Sequence, residues 1–304
     1  MASSERPDQT PTSPRSDRVR AVAGLAGRSA RRRSGRFRVE GPQAVRSLLT
    51  HRPGDALEVF LTAEADAAHP ELAEAGRAAR VPVRTVTAEV LGAMLRESAT
   101  APATGPDSGA RPGERDEAMV TPQGVLAVAR LHREMDWRAA LASALPRAGK
   151  HDGPVTIAVL HEVRDPGNVG AVIRVADAAG ADLVVLTRGS ADPYSPKVVR
   201  ASAGSLFHLP VVPGAEMPEL LAELEDRGIT AVATSGRAEH DLYDAEVPHR
   251  CAWILGNEAR GLDERTLAAT SSSIRIPLLG AAESLNVATA AALCFYESLR
   301  RRRT

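Results

Sequence analysis

The sequence predicts an α/β fold in two domains, and three observations lead to this prediction. Short apolar runs alternate with helix-spaced apolar residues from residue 37 to residue 97. Further along, the run TIAVLHEV is followed by a helical pattern and then by LVVL, the order of a βαβ unit with parallel strands. Finally, the apolar run Ala252 to Leu255 stops abruptly at Gly256, which is typical of a buried strand whose carboxyl end meets a ligand.

The first domain is predicted over residues 18–132, after a polar tail at 1–17 that we expect to be disordered. Its expected elements, in chain order, are a strand at Phe37 and Val39, a helix from Gln43 to Leu49, a strand from Leu57 to Leu61, a helix from Pro70 to Ala79, the strand VPVRTV, a helix from Ala88 to Glu97 and the strand within VTPQGVLAVARL. A stretch at 98–118, rich in Ala, Thr, Pro and Gly, interrupts them and predicts a flexible insert.

The second domain is predicted over 154–304, after a linker at 133–153 in which Trp137 to Leu145 forms a helical connector. Its first strand and helix contain the string D-P-x-N-x-G-A-x-x-R. A dinucleotide-binding loop would need G-x-G-x-x-G, and only Gly167 and Gly170 are present, so the signal for NAD is weak. Arg174 in this string could also serve only as an ion-pair partner of Asp165 or Asp177.

Three later loops follow apolar runs, and they predict the ligand site. They begin at Thr234, at Gly256 and at Ile276. Because parallel strands end at one edge of a sheet, these loops should gather there. Pro277 and Gly280 break the last run and predict an irregular loop; Ser284 is the expected N-cap of a helix from Leu285 to Leu299.

Composition excludes some classes of protein. The formal net charge is zero and the pI is near 7.1, so bulk charge indicates no partner, although arginines crowd residues 28–38 and 300–303, as phosphate-binding segments do. Cys251 and Cys294 lie far apart without a CxxC spacing and are expected to be buried in a reducing compartment. No apolar run reaches the roughly 20 residues of a membrane span, and a signal peptide is not indicated, so we expect a cytoplasmic protein.

Four short motifs occur in one order: D-P-x-N-x-G-A-x-x-R, G-N-E-x-x-G-L, I-P-x-x-G and E-S-L-N-V-A. Together they resemble the motifs of the SpoU-TrmH family of S-adenosylmethionine-dependent RNA 2′-O-ribose methyltransferases, within the SPOUT superfamily. The resemblance implies a carboxy-terminal parallel-sheet domain with a deep trefoil knot and a homodimer. R-x-x-x-G-R-F-x-V-E-G, at residues 31–41, resembles the amino-terminal substrate-binding domain of such enzymes, although Pro122 stands where relatives often have His.

The resemblance also implies roles for particular residues. The implied catalytic residues are Asn168, Arg174, Glu258, Ser284 and Asn286. The implied cofactor-binding residues are Thr234, Ser235, Gly236, Leu255, Gly256, Ile276, Leu278 and Leu285. The candidate RNA-binding residues are Arg33, Arg36, Arg38, Lys197 and Arg200. Arg174 is expected to anchor a phosphate rather than act as a base, because an arginine side chain stays protonated in proteins. No metal is required.

The expected reaction is methyl transfer to a ribose 2′-hydroxyl of RNA, and the additional first domain favours 23S ribosomal RNA as substrate. Two alternatives stay open at this point. One keeps the enzyme and changes the acceptor to tRNA or to a base atom. The other is an RNA-binding protein without activity on the same scaffold, which the loss of the motif residues would have favoured; all of them are present.

Overall fold

A computed structural model describes residues 10–96, 123–132, 137–145 and 153–303. The chain divides into two compact units, with the break between Leu131 and His132. The predicted insert at 98–118 lies outside the described residues, as does most of the predicted tail at 1–17. Each unit has its own sheet and its own core, and each is described separately below.

The first unit is built on a four-stranded sheet in the order β1-β4-β2-β3. Its strands are β1 (Arg36–Glu40), β2 (Ala56–Leu61), β3 (Val83–Thr85) and β4 (Val125–Arg130). β4 pairs antiparallel with β1 and β2, whereas β2 and β3 are parallel. Its helices are α1 (Asp17–Gly24), α2 (Arg28–Ser34), α3 (Pro42–His51), α4 (Ala63–Ala68), α5 (Pro70–Ala78) and α6 (Ala88–Leu95). The four predicted strands and the three predicted helices are present, and α1, α2 and α4 are additional.

The second unit is built on a seven-stranded sheet in the order β7-β6-β5-β10-β8-β11-β9. Its strands are β5 (Val155–Leu160), β6 (Leu183–Thr187), β7 (Val211–Ala215), β8 (Thr230–Thr234), β9 (His240–Asp241), β10 (Arg250–Leu255) and β11 (Ser272–Arg275). Every pair of neighbouring strands is parallel. The parallel sheet predicted from the βαβ pattern is therefore confirmed.

Helices cover both faces of this sheet. They are α7 (Trp137–Ala144), α8 (Pro166–Ala178), α9 (Pro196–Ala201), α10 (Met217–Asp226), α11 (Glu264–Ala269) and α12 (Val287–Arg302). Ala252 and Ile254 of β10 join the core formed with α7 and α10. Trp253 lies between them and points the other way, since side chains alternate along a strand. Its Nε1 donates to Ser298 Oγ at 2.9 Å, so α12 covers the opposite face.

The predicted linker at 133–153 is corrected by this core. Trp137, Ala140 and Leu141 of α7 recur at helical spacing and are buried with Ile157 and Leu183 of the sheet. α7 is thus a structural helix of the second unit, because its apolar stripe has a sheet face to cover. A free connector would leave that stripe in water.

Both cysteines are buried, as predicted. Cys251 lies on β10 and Cys294 on α12, and both thiols are free. Burial raises the pKa of each thiol, which keeps both protonated at neutral pH. Among the residues described, no helix combines the length and the apolar character that a membrane span requires.

Candidate active site

The three predicted loops meet at one edge of the second sheet. β8, β10 and β11 are neighbours, and their carboxyl ends open onto a cavity of about 720 Å³. All eight residues predicted to bind a cofactor line it. So do Asn168, Glu258, Ser284 and Asn286, four of the five predicted catalytic residues. The placement follows from topology, because parallel strands bring their carboxyl ends together.

Gly256 allows the loop after β10 to fold back on itself. Asn257 and Gly261 exchange backbone hydrogen bonds of 3.1 and 2.8 Å, which brings Gly261 against Gly256. A Cβ at Gly256 would lie 2.4 Å from the backbone carbon of Gly261, closer than real Cβ contacts come. Asn257 secures the turn further, since its Nδ2 donates to the backbone oxygen of Glu162 at 2.9 Å. The loop holds Glu258 toward the cavity in this way.

A chain of side-chain hydrogen bonds joins three of the predicted catalytic residues. Asn286 Nδ2 donates to Asn168 Oδ1 at 2.8 Å, and Asn168 Nδ2 donates to Glu258 Oε1 at 3.1 Å. The three residues come from the start of α12, the first turn of α8 and the loop after β10. Because each side chain fixes the next, the amide orientations are set by the network and point in one consistent direction.

Glu258 is held ionised by this network. Its partial burial alone would raise its pKa, but hydrogen bonds from Asn168 and from backbone N–H groups outweigh that effect and lower the pKa below the usual value. A lowered pKa means that the carboxylate persists through the neutral range and is lost only as pH falls below that of an ordinary glutamate. At neutral pH the group therefore accepts hydrogen bonds and cannot donate one.

Asn286, and not Ser284, is the N-cap of the last helix. The prediction that Ser284 caps the last helix is wrong, because α12 begins at Val287 and Asn286 is its N-cap, with Oδ1 accepting from the backbone N of Ala288 at 2.9 Å. Ser284 lies two residues earlier on the exposed cavity rim. Asn286 thus uses its oxygen to start the helix and its amide nitrogen to orient Asn168.

Arg174 lies on α8 but outside the cavity lining. Its side chain is exposed, and no residue in the described part of the chain bonds to it. Neither of the ion pairs that would have explained it is formed. Asp165 instead caps α8, accepting from Asn168 N at 2.8 Å, and Asp177 pairs with His208 at 2.7 Å. An unpaired guanidinium on the helix that also carries Asn168 is available for an anionic ligand.

Several lining residues are not among the predicted catalytic or cofactor-binding residues. They are Arg237, Asn257, Ala259, Gly261, Ile274, Glu283, Val287 and Ala290. Asn257 and Gly261 belong to the G-N-E-x-x-G-L motif, which could have indicated them. Arg237 directly follows the Thr234 to Gly236 turn and is exposed, but one arginine after a turn is too common a feature to predict a site.

Comparison with known proteins decides the family. A profile of the SpoU rRNA methylase family matches residues 155–296. A solved RNA 2′-O ribose methyltransferase superimposes with a TM-score of 0.72 and 30% identity, over 96% of this chain and 99% of that one. The chain belongs to the SpoU rRNA methylase family. Another SpoU methyltransferase, AviRb from Streptomyces viridochromogenes in complex with AdoMet, superimposes with a TM-score of 0.74 and 27% identity, over 95% and 99% of the two chains.

Curated relatives match about half of this chain. The 23S rRNA (guanosine-2′-O-)-methyltransferase RlmB of Bordetella pertussis is 34% identical over 151 residues, which is 50% of this chain and 62% of RlmB. The 23S rRNA guanosine-2′-O-methyltransferase RlmP of Bacillus subtilis is 41% identical over 140 residues, which is 46% and 56% of the two chains. The match therefore spans less than two thirds of these relatives.

Of the five cationic residues predicted to bind RNA in this SpoU chain, four are exposed and one is buried. Lys197 and Arg200 are exposed on α9, and Arg33 and Arg36 are exposed at the start of the first unit. The expectation for Arg38 is corrected: its side chain is 1% exposed, its Nε lies 2.7 Å from Glu40 Oε1, and its Nη1 donates to Met94 O. Arg38 and Glu40 are two apart on β1 and so share the buried face of the strand.

The arginines at the end of α12 mostly make contacts within the protein. Arg300 and Arg301 pair with the buried carboxylate of Glu297, and Arg302 Nη2 donates to Thr156 Oγ1 at 2.6 Å. The contacts from Arg302 tie the helix end to β5. Within the described residues, no group of three or more His, Cys, Asp or Glu side chains is arranged to hold a metal ion.

Proposed function

We propose that this chain transfers a methyl group from S-adenosylmethionine to a ribose 2′-hydroxyl of RNA, and that 23S ribosomal RNA is its substrate. The observation that carries the proposal is the hydrogen-bonded chain Asn286–Asn168–Glu258 at the cavity, with the unpaired Arg174 on the same helix as Asn168. The names of RlmB and RlmP, both 23S rRNA guanosine-2′-O-methyltransferases, support the reaction and the substrate.

We assign the cavity of about 720 Å³ to the cofactor. Its volume lies within the roughly 300–1,000 Å³ of small-molecule sites, and Leu255, Ile276 and Leu285 give it an apolar part that suits a purine ring. The turn from Thr234 to Gly236 supplies polar groups at its edge. The related AviRb was crystallised with AdoMet, which supports the assignment. When bound, the cofactor supplies an electrophilic methyl group.

Arg174 is proposed to hold the RNA. A guanidinium can grip a phosphate with two parallel N–H donors, which fixes the adjacent ribose in position and orientation. Its positive charge also favours ionisation of a nearby hydroxyl. Arginine does not act as the base, since a guanidinium keeps its proton in proteins. Glu258, Asn168 and Asn286, held in one network, would keep the reacting geometry from drifting.

The substrate surface extends beyond the cavity. Lys197 and Arg200 lie on α9, which packs against α8 and hence beside Arg174. Arg33 and Arg36 would contact RNA from the first unit, which we assign as a substrate-binding domain over 18–132. Phosphate contacts of this kind position an RNA without reading its sequence. An rRNA substrate would place the protein in the cytoplasm.

We infer a homodimer and a trefoil knot for the second unit, by analogy with the family. α12 supports the dimer, because Tyr296 is 50% exposed on the side of the helix that faces away from the sheet. The irregular stretch from residue 276 to 286, which connects β11 to α12, is the segment that a knot would thread. Both inferences rest on the resemblance to solved relatives that span nearly the whole chain.

The experiment that tests the function is methyl incorporation from labelled S-adenosylmethionine into total rRNA and tRNA from a strain that lacks this gene. Label in 23S RNA alone would support the proposal as stated. Label in tRNA alone would contradict the substrate while keeping the reaction. Cofactor binding without label in either pool would contradict mature rRNA and mature tRNA as substrates. Absence of cofactor binding would contradict the proposed methyltransferase activity.

A further inference from the structure

A second cavity of about 450 Å³ lies in the same unit and shares no lining residue with the cofactor cavity. We call it the β5–β7 pocket, because residues at or just after the carboxyl ends of β5, β6 and β7 line one part of it. Its lining residues are His161, Glu162, Thr187, Arg188, Ala215, Glu216, Met217, Pro218, Leu221, Asp263, Arg265, Thr266 and Ala269. None of them belongs to the motifs of the candidate active site.

The β5–β7 pocket occupies the position where open parallel sheets bind ligands. From β5 the chain winds outward through β6 to β7, and then crosses to β8 on the other side of β5. The winding direction therefore reverses beside β5, and a crevice opens there at the carboxyl ends of the strands. His161 and Glu162 directly follow β5, while Asp263 follows the loop of the neighbouring β10.

The walls of the pocket differ in chemistry. Met217, Pro218 and Leu221 of α10, with Ala269 of α11, form an apolar side. The opposite rim is charged and mostly exposed: Arg188 Nε pairs with Glu216 Oε1 at 2.7 Å, and such exposed pairs are weak enough to be redirected to a ligand. Arg265 is exposed, with no partner among the described residues.

His161 forms the floor and joins the two sides. Its Nδ1 lies 3.1 Å from Thr187 Oγ1 and its Nε2 lies 3.4 Å from Asp263 Oδ2, so both ring nitrogens are engaged and the ring is fixed. A cavity with an apolar side and with hydrogen-bond donors and acceptors among its other lining residues matches the polarity of a nucleobase, which has apolar faces and a polar edge.

A ridge that contains Glu162 and Asn257 separates the β5–β7 pocket from the cofactor cavity. Glu162, which lines the pocket, accepts through its backbone oxygen from Asn257, which lines the cavity. The ridge carries two exposed arginines, since Arg164 and Arg260 each donate to Glu162 Oε2 at 3.0 Å. A strand of RNA that crosses this ridge would meet positive charge where its phosphate passes.

From these observations we propose that the β5–β7 pocket receives an unstacked nucleobase of the RNA substrate, close to the nucleotide that is methylated. Single-stranded or splayed RNA is read by stacking a base on one surface and bonding its edge with side chains. The apolar side from α10 supplies the surface, and Glu216, Asp263 and Arg265 surround the edge. The proposal rests on the proposed function, because it takes RNA as the ligand.

The test fills the pocket from its surface side. Ala269→Trp places a large side chain into the pocket from the last residue of α11, whereas Ala268→Trp places the same side chain on the same exposed helix without lining the pocket. We expect Ala269→Trp to raise KM for 23S RNA about tenfold with kcat within about twofold of wild type. S-adenosylmethionine Kd, measured by calorimetry, should not change in either variant.

Equal RNA KM values for the two variants would overturn the proposal, as would a lowered affinity for S-adenosylmethionine in Ala269→Trp alone. Ala269→Leu and Ala268→Leu repeat the comparison with a smaller side chain if the tryptophan variant is not folded by circular dichroism. If wild-type protein methylates no RNA, the proposed function fails separately, and filter binding of a 23S RNA fragment decides the pocket. About tenfold weaker binding by Ala269→Trp supports a base site there, and equal binding by the two variants overturns it.

Discussion

Arg174 is exposed, and no side chain in the described part of the chain pairs with it. The two acids that could neutralise it, Asp165 and Asp177, are both occupied by other partners. The structure thus removes the ion-pair explanation, and contact with the RNA stays the role that we propose for Arg174. A side chain that contacts the RNA should matter to turnover and little to the cofactor or to the fold.

Arg174→Ala should therefore lower methylation at least about a hundredfold, since a lost charge-assisted contact in the transition state costs about 3 kcal/mol. Affinity for S-adenosylmethionine and thermal stability should stay near wild type. Arg138→Ala, which removes an exposed arginine of α7 in the same unit, is the control. Radiolabel incorporation at saturating RNA measures the effect, and wild-type activity in Arg174→Ala would contradict the assigned role.

Asn286 combines a structural and a functional role that one substitution can separate. Asn286→Ser keeps a residue type that caps helices but removes the amide nitrogen that donates to Asn168. Its stability should stay within a few tenths of a kcal/mol of wild type, while activity falls. Asn286→Ala should lose activity and in addition about 1 kcal/mol of stability. Urea denaturation measures the stability of both variants, and methylation assays measure their activity. An active Asn286→Ser would show that Asn286 serves only as a helix cap.

At the scale of elements, α8, which carries Arg174, packs closely against α9, which carries Lys197 and Arg200. The approach depends on Gly170, because a Cβ there would lie 2.4 Å from Ala201 Cβ and 2.7 Å from Val198 O. Backbone atoms cannot move aside as a flexible side chain can. The motif glycine in D-P-x-N-x-G therefore has a packing reason independent of any ligand.

Gly170→Ala should destabilise the protein by about 1–3 kcal/mol, the usual range for overpacking. Gly92→Ala is the matched control, since Gly92 also lies within a helix but has no atom within 4 Å of an added Cβ. That substitution should stabilise by about 0.5–1 kcal/mol, because alanine is the better helix former. Thermal melting of both variants measures the difference, and equal shifts would contradict the packing argument.

The sequence predicted the elements well where hydrophobic period and topology determine them. The three loops at Thr234, Gly256 and Ile276 meet as expected, because a parallel sheet leaves them no other edge. The N-cap of α12 was predicted at Ser284 but lies at Asn286. Both residue types cap helices, and only the path of the preceding loop decides between them. The sequence did not show that α7 packs into the core of the second unit, because the helix alone does not reveal which sheet face it covers.

Two features required the structure. Arg38 could have been recognised as buried only by placing Glu40 on the same face of β1, since the nearby Arg33 and Arg36 are exposed. The β5–β7 pocket has no motif at all, because its walls come from loops spread between His161 and Ala269. Sites assembled from distant single residues leave no spacing that a sequence can display.

At the scale of the whole molecule, the proposed dimer predicts a change in assembly from one exposed residue. Tyr296→Asp should convert a dimer to a monomer, because a charge would be buried in an apolar contact. Tyr243→Asp is the control, since that tyrosine is also exposed, at 55% against 50% for Tyr296, but is not part of α12. Light scattering after size-exclusion chromatography measures the mass, and a monomeric wild type would contradict the dimer.

The central claim is that the methyl group goes to a ribose oxygen and not to a base. Alkaline hydrolysis of 23S RNA labelled by the wild-type protein tests it most directly, because a 2′-O-methyl group removes the hydroxyl that cleaves the adjacent phosphodiester. The account predicts that all label appears in one alkali-resistant dinucleotide. Label in mononucleotides would show a methylated base and contradict the account.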